Sequence, residues 1–299
     1  MNKVIRRAAR RMEKGGALLW KGKNNGQRVV ALVKFGSKNR KTGDMVSLTY
    51  FLASVKPTDA IKDGRDAAVC DGCEHRPVNA RQIDARRAAE LGRKLRAEEK
   101  APRCYVPYRA LNAQWGAFKR GKYLPLSSPA RVLAFAELLS GRMVRFGQYG
   151  NTTAALPFGV ALAVAKAGRG WTGYDHNWRD AAPEWARLLM ASVASAADKA
   201  EANARGWRTF RIIRDVSERL PDEIICPASP EATAMGKATV SCETCGFCNG
   251  TGNGRNPVRR NVAIIDHGPT GAASLENLSR LRQQLADKRT AGRVALPMV

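Results

Sequence analysis

The sequence contains no run of about 18 consecutive apolar residues, so no part of it reads as a membrane-spanning helix. Its basic start, MNKVIRRAARRMEKGG, is not followed by the apolar core of a secretion signal. The two absences predict a chain kept in a reducing cytoplasm, where its seven cysteines are metal ligands rather than bridges. Acidic residues are scarce. Asp and Glu number 26 against 51 Lys and Arg, which leaves a net charge of +25. Such an excess favours polyanionic partners, nucleic acid or nucleotide above all, unless it only reflects an Arg-rich composition; the cations are spread along the chain and form no single stripe. Histidines are few, at positions 75, 176 and 267. No Walker loop, nucleophile elbow or His-Glu-x-x-His pair occurs, which removes the signatures of P-loop NTPases, α/β-hydrolases and zinc proteases.

What is present is a chain of 299 residues with 44% apolar content, enough to bury a sizeable core. Residues 1–28 read as a flexible basic lead-in. Apolar runs at 28–35 and 45–52, joined by the turn-forming KNRKTGD, predict an N-terminal β-hairpin. Residues 79–100 are charged on most faces and predict a solvated helix, an insertion in the domain. From residue 130 helical patterns alternate with strand-like runs at 143–146, 171–174, 190–193, 208–214 and 223–226. Repeated βα units predict an α/β fold with parallel strands over 29–225, a full or partial (β/α) barrel, with an open doubly wound sheet as the other solution. A cysteine-rich metal-binding segment (226–268) follows, then a C-terminal helix and tail (269–299), with Leu275, Leu278, Leu281 and Leu285 at helical spacing.

The cysteines carry the sharpest signal. Cys70 and Cys73 form C-x2-C with His75 close behind, Cys104 stands alone, Cys226 follows a strand, and Cys242, Cys245 and Cys248 form C-x2-C-x2-C. Two cysteines three apart around a tight turn aim both sulfurs at one ion. The seven divide into Cys70, Cys73, Cys104 and Cys226, Cys242, Cys245, Cys248. Four thiolates close the shell of Zn2+ or a [4Fe–4S] cluster, whereas three leave a position open. His75 completing a Cys3His zinc site, or Cys104 as a buried bystander, are the other readings.

Three resemblances attach to these segments. CGFCNGTG, residues 245–252, is similar to one cysteine repeat of the DnaJ-type zinc domain, without the second copy that domain uses. KTGDM (41–45), CDGC (70–73), CYV (104–106), Trp115 with KRGKY (119–123), GQYG (147–150), WTGYDH (171–176), GWRTFR (206–211) and DHG (266–268) resemble the phage proteins known as the gene product 88 family. That resemblance spans about residues 28–268 and implies a phage or prophage origin, hence the cytoplasm of a host cell. The chain more loosely resembles radical S-adenosylmethionine enzymes, with C-x2-C and Cys104 in place of that family's C-x3-C-x2-C motif. This resemblance implies a reactive [4Fe–4S] cluster on Cys70, Cys73 and Cys104, S-adenosylmethionine held by Gly147, Tyr149 and Asn151, and a second, closed centre on the other four cysteines.

Asp175 and His176 lie just beyond a predicted strand and are the candidate proton-transfer pair, although neighbours on a strand point to opposite faces. The reading that follows is an iron–sulfur protein, enzymatic in the radical S-adenosylmethionine manner, acting on nucleotide or nucleic acid. The alternative is a non-enzymatic, Zn2+-stabilised nucleic-acid-binding protein. Trp115 and Phe118 among Lys119, Arg120 and Lys122 suit base stacking, or more simply a helix packing its aromatics inward.

Overall fold

The computed structural model describes residues 2–36, 41–96, 99–101, 104, 106–252, 260–266, 283 and 287. His267 and, apart from Gln283 and Asp287, the expected C-terminal helix lie outside the described residues. Among the described residues, no helix is long and apolar enough to cross a membrane.

Eleven strands are described: β1 Ala17–Asn24, β2 Gln27–Lys34, β3 Val46–Leu52, β4 Leu124–Pro125, β5 Met143–Tyr149, β6 Gly170–Thr172, β7 Tyr174–Asp175, β8 Met190–Val193, β9 Thr209–Ile213, β10 Glu223–Ile225 and β11 Asn261–Ile265. They form an α/β fold with two sheets. One is mixed, in the order β4-β1-β2-β3-β5-β6; the other runs β10-β11-β9-β8-β7 with every pairing parallel. The expected hairpin is β2–β3, antiparallel from Val29↔Leu52 to Lys34↔Ser47. All seven residues of β3 are buried, as its apolar run VSLTYFL requires of a strand covered on both faces.

The basic lead-in is folded. Asn2 caps the helix Lys3–Gly15 by accepting a hydrogen bond from the Val4 N–H at 3.1 Å, and β1 follows directly. A seam of Ala8, Ala9 and Met12 is buried on that helix, narrow enough to be lost among six cations. The overlooked signal is Asn25-Gly26. Both residues have positive φ (45° and 71°), the turn that joins β1 to β2 with the twist a hairpin needs. The charged helix expected over 79–100 runs instead from Pro77 to Glu90, with only Ala80 buried, a solvated surface element, and residues 91–96 beyond it are not helical.

The described strands do not close into a barrel; both sheets are open. The division falls at Gly173. β6 pairs with β5 on one side of this residue and β7 pairs with β8 on the other. The Gly173 N–H donates to the Cys248 carbonyl at 2.7 Å, so the cysteine-rich segment enters where the two sheets part. A Cβ at this position would lie 2.6 Å from Leu189 Cδ2 and 2.9 Å from Phe146 Cβ, which only glycine avoids. The strand order also departs from a barrel's sequential one, since β11 is inserted between β9 and β10.

One large apolar core joins the mixed sheet to its helices, including Pro129–Leu139 and Tyr108–Lys119. Trp115 and Phe118 pack on that core, and the Trp115 indole N–H donates to the Leu52 carbonyl at 3.0 Å. The parallel sheet has a separate cluster on each face: Met190, Phe210, Cys226, Val262 and Ile264 on one, and Ile213, Ile225, Ala232, Ala263 and Ile265 on the other. Each large side chain buried in this way contributes about 1.5–3 kcal/mol before entropy is counted.

Candidate metal centre and cavity

The chain brings its seven cysteines together in two groups, divided as their spacing suggests. Cys70 ends the short helix Ala67–Cys70, and the loop to Arg76 is fastened from beneath. Arg76 donates to both Asp66 carboxylate oxygens, at 3.1 and 2.7 Å, and to the Gly64 and Asp71 carbonyls. Cys104 arrives from a distant stretch because its N–H donates to the His75 carbonyl at 2.9 Å. Burial, then the nearby Cys73 sulfur, Asp66 and Cys104, push the Cys70 thiol upward. Burial raises Cys73 to about 12. Two phenols lie beside these sulfurs, Tyr149 near Cys70 and Tyr108 near Cys104.

The second group gathers around β10 and the helix Cys242–Cys245. Cys226 immediately follows β10, and its N–H donates to the Ala263 carbonyl at 2.8 Å. Ser241 and Thr244 form a reciprocal cap on the Cys242–Cys245 turn, and Gly246 (φ 56°) ends it in the left-handed region. That turn docks on the KTGD segment: the Cys242 N–H donates to the Lys41 carbonyl at 2.6 Å, and the Asp44 N–H donates to Glu243 at 3.0 Å. Burial, then the sulfurs of Cys226, Cys242 and Cys245, push the Cys248 thiol up, while Arg208 opposes the shift. Cys226 is likewise raised by burial and opposed by Lys41. Arg208 fixes the chain around Cys248 by donating to the Phe247 carbonyl at 3.0 Å and the Gly250 carbonyl at 2.6 Å.

Soft, buried and mutually close thiols are a donor set suited to zinc or iron–sulfur chemistry. Among the described residues, however, no three or more His, Cys, Asp or Glu side chains already stand as a set that could hold a metal ion. Burial holds the thiols of Cys70, Cys73, Cys104, Cys226 and Cys248 toward their protonated form, so a metal binding to them must displace those protons.

All four cysteines of the second group line a cavity of about 310 Å3, near the lower end for sites that enclose small molecules. Its wall takes alternate residues from neighbouring strands, Arg145 of β5, Thr172 of β6, Tyr174 of β7, Ser192 of β8, and Phe210 and Ile212 of β9, and is closed by Ile264 and Ile265 at the end of β11. The Tyr174 and Phe210 rings stack at 4.4 Å, and Arg145 donates to the Tyr174 hydroxyl at 2.8 Å. Lys41 and Asp266 stand at the same wall. Sequence reasoning singled out none of these wall residues for a site. The usable signal was period-2 alternation, which puts the polar Arg145 and Ser192 on the inner face of otherwise apolar strands.

His176 lines the cavity and meets His75 edge to face, ring centroids 5.1 Å apart. Burial, reinforced by the neighbouring His75, lowers the His176 pKa to about 3, so its imidazole is neutral at ordinary pH. Asp175 points away from the cavity, as strand alternation requires. Its carboxylate accepts hydrogen bonds from the Thr153 N–H, the Thr153 hydroxyl and the Asn177 N–H, all at 2.9–3.0 Å, and burial raises its pKa. Asp175 is therefore a strut for residues 151–155, not a partner of His176.

Gly147, Tyr149 and Asn151 do not line the cavity either. Tyr149 and Asn151 back the first cysteine group, while Gly147 lies against Gly150, Thr152 and the Tyr174 carbonyl. Asn151 accepts the His176 N–H at 3.2 Å and donates to the Cys70 carbonyl at 2.8 Å, and its own N–H donates to the Val69 carbonyl at 2.6 Å. The loop that carries them turns at Gly147 (φ 66°) and Gly150 (φ 82°), where a Cβ on Gly150 would press on the Val69 carbonyl. Asn151 thus ties the Cys70 loop to His176, and His176 to the cavity. Comparison of the chain with protein-family models, with curated proteins and with solved structures found no match.

Proposed function

We propose that this chain is a phage-type metal–thiolate protein, that iron–sulfur centres suit its two cysteine groups best, and that the cavity beside the second group receives a small molecule. One observation carries the reading. Four thiols from two separate stretches, Cys226 and Cys242–Cys248, converge on the wall of a single cavity. A purely structural metal needs no such opening.

When bound, an iron–sulfur centre supplies one-electron transfer. The chain's own residues supply the rest. Tyr174 and Phe210 offer a stacked aromatic wall, Arg145 and Lys41 bring positive charge to it, and neutral His176 presents a ring able to accept or donate a hydrogen bond. A radical-type enzyme acting on a nucleotide or nucleic acid is the finer form of this proposal. The three-thiol group on Cys70, Cys73 and Cys104 speaks for it. In that form S-adenosylmethionine would have to meet the cavity wall, because Tyr149 and Asn151 are occupied in supporting the Cys70 loop and Gly147 is outside the cavity lining.

The second reading is a Zn2+-stabilised nucleic-acid-binding protein. It is favoured by how the cysteine segment staples the fold, with the Cys248 carbonyl holding Gly173 where the sheets part. Elemental analysis of anaerobically purified protein separates the two. Iron with acid-labile sulfide and absorbance near ~400 nm is the expected result; colourless protein carrying only zinc favours the second reading and overturns the first.

A further inference from the structure

The helix Lys3–Gly15 carries Lys3, Arg6, Arg7, Arg10, Arg11 and Lys14, and all six side chains are exposed. None forms an ion pair with any described residue. The single acid of the helix, Glu13, is engaged by Arg142 at 3.2 Å. The inner face, Ala8, Ala9 and Met12, is buried and holds the helix in place. Cations that the sequence only scatters are thus gathered by the fold into one rigid array, about 16 Å long at 1.5 Å per residue.

This array works against the helix that bears it. No acid occupies the first turn, where Lys3 and Arg6 oppose the helix dipole. Lys3–Arg7, Arg6–Arg10, Arg7–Arg11 and Arg10–Lys14 are like-charge pairs four residues apart, each unfavourable. A polyanion removes that repulsion. The surface also continues beyond the helix. The Lys122 carbonyl lies against Gly15, and the Leu124 N–H donates to Gly16 at 3.0 Å, which places exposed Lys119, Arg120 and Lys122 at the helix end.

We propose that the N-terminal helix and the 119–122 turn form a docking surface for the phosphate backbone of duplex nucleic acid. A duplex presents one negative charge per about 1.7 Å of its axis, so a fixed cationic row of this length meets several phosphates at once. A membrane surface fits less well. The apolar face of the helix is already buried, and Val4 is its one large exposed apolar side chain. This inference stands apart from the metal reading.

The test is binding of full-length protein to a mixed-sequence DNA duplex of about 25 base pairs across a salt series, with anionic phospholipid vesicles as a parallel probe. The triple variant Arg7→Gln/Arg10→Gln/Arg11→Gln is compared with Arg65→Gln/Arg93→Gln/Arg96→Gln, which removes the same charge from exposed arginines paired with acids elsewhere. Circular dichroism confirms that both remain folded. The expected result is at least a tenfold loss of affinity for the helix variant alone, with its salt slope reduced by about 2.7, the effect of three lost phosphate contacts. Equal weakening of both variants, salt-independent binding, no duplex binding by the native chain, or binding to vesicles alone would each overturn the proposal.

Discussion

The two cysteine groups use the same ligand atom in different settings. The Cys70, Cys73 and Cys104 group is partly buried, with the phenols of Tyr149 and Tyr108 beside its sulfurs, and His75, His176 and Asn151 link it to the cavity. The Cys226, Cys242, Cys245 and Cys248 group stands on the cavity wall, with cationic Lys41 and Arg208 in place of neutral phenols. A buried arginine–carboxylate pair, Arg76–Asp66 at 2.7 Å, underlies the first group; a second buried pair, Arg211–Glu223 at 2.7 Å, ties β9 to β10 in the parallel sheet whose β10 ends just before Cys226. Each pair is a rigid footing for the loop or sheet that carries it, while the groups facing the sulfurs differ. Charge beside sulfur and access to solvent are the levers that set the behaviour of metal–thiolate centres.

The strongest way to break this comparison is to remove ligands from one group at a time. Cys242→Ser with Cys245→Ser is expected to abolish metal at the second group and leave the first loaded; Cys70→Ser with Cys73→Ser should do the reverse. Metal per chain is the readout, and complete loss from either double variant would mean a single shared centre.

Breaking a footing is the next largest effect. Glu223→Gln leaves Arg211 charged and buried, and is expected to cost about 3–5 kcal/mol in denaturant unfolding; Asp66→Asn should cost a similar amount beneath the first group. By contrast, Asp198→Asn, which loosens the exposed Arg179 pair, should stay within about 1 kcal/mol. Equal costs for the buried and exposed pairs would refute the idea of rigid footings.

The bridge between the groups has a pH signature. His176 titrates near 6.5 when unfolded and near 3 when folded, so the unfolded chain takes up its proton first as pH falls. Its contribution to stability is complete above pH 6.5 and diminishes by up to about 1.4 kcal/mol per unit as pH descends toward 3. His176→Gln should flatten the stability profile across that window. An unchanged slope would show that the imidazole is not held neutral. A modest effect is expected of Tyr149→Phe, which deletes the hydroxyl beside Cys70. A loss of about 0.5–1.5 kcal/mol is anticipated, with a lower reduction potential at the first group alone.

Much of this architecture can be read from the sequence where periodicity is strong. The strands expected at 143–146, 190–193, 208–214 and 223–226 all exist, because their apolar runs are short, bounded and interleaved with helices. The C-x2-C pairs bring neighbouring sulfurs together by spacing alone, whereas Cys104 and Cys226 are placed by long-range hydrogen bonds to the His75 and Ala263 carbonyls that no local pattern announces. Nothing local indicates that Gly173 yields its hydrogen bond to Cys248 and parts the sheets, or that Asn151 serves the Cys70 loop instead of a cofactor. The helix Lys3–Gly15 was hidden by its charge, its apolar seam being three residues wide.

The most direct test of the account is electron paramagnetic resonance of the anaerobically isolated, dithionite-reduced protein, with Cys104→Ser measured beside the native chain. Two distinct iron–sulfur signals are predicted, and the variant should keep only the one belonging to Cys226, Cys242, Cys245 and Cys248. Reduced native protein with no signal, or a variant that loses every signal, would contradict two separate metal centres on either side of His75 and His176.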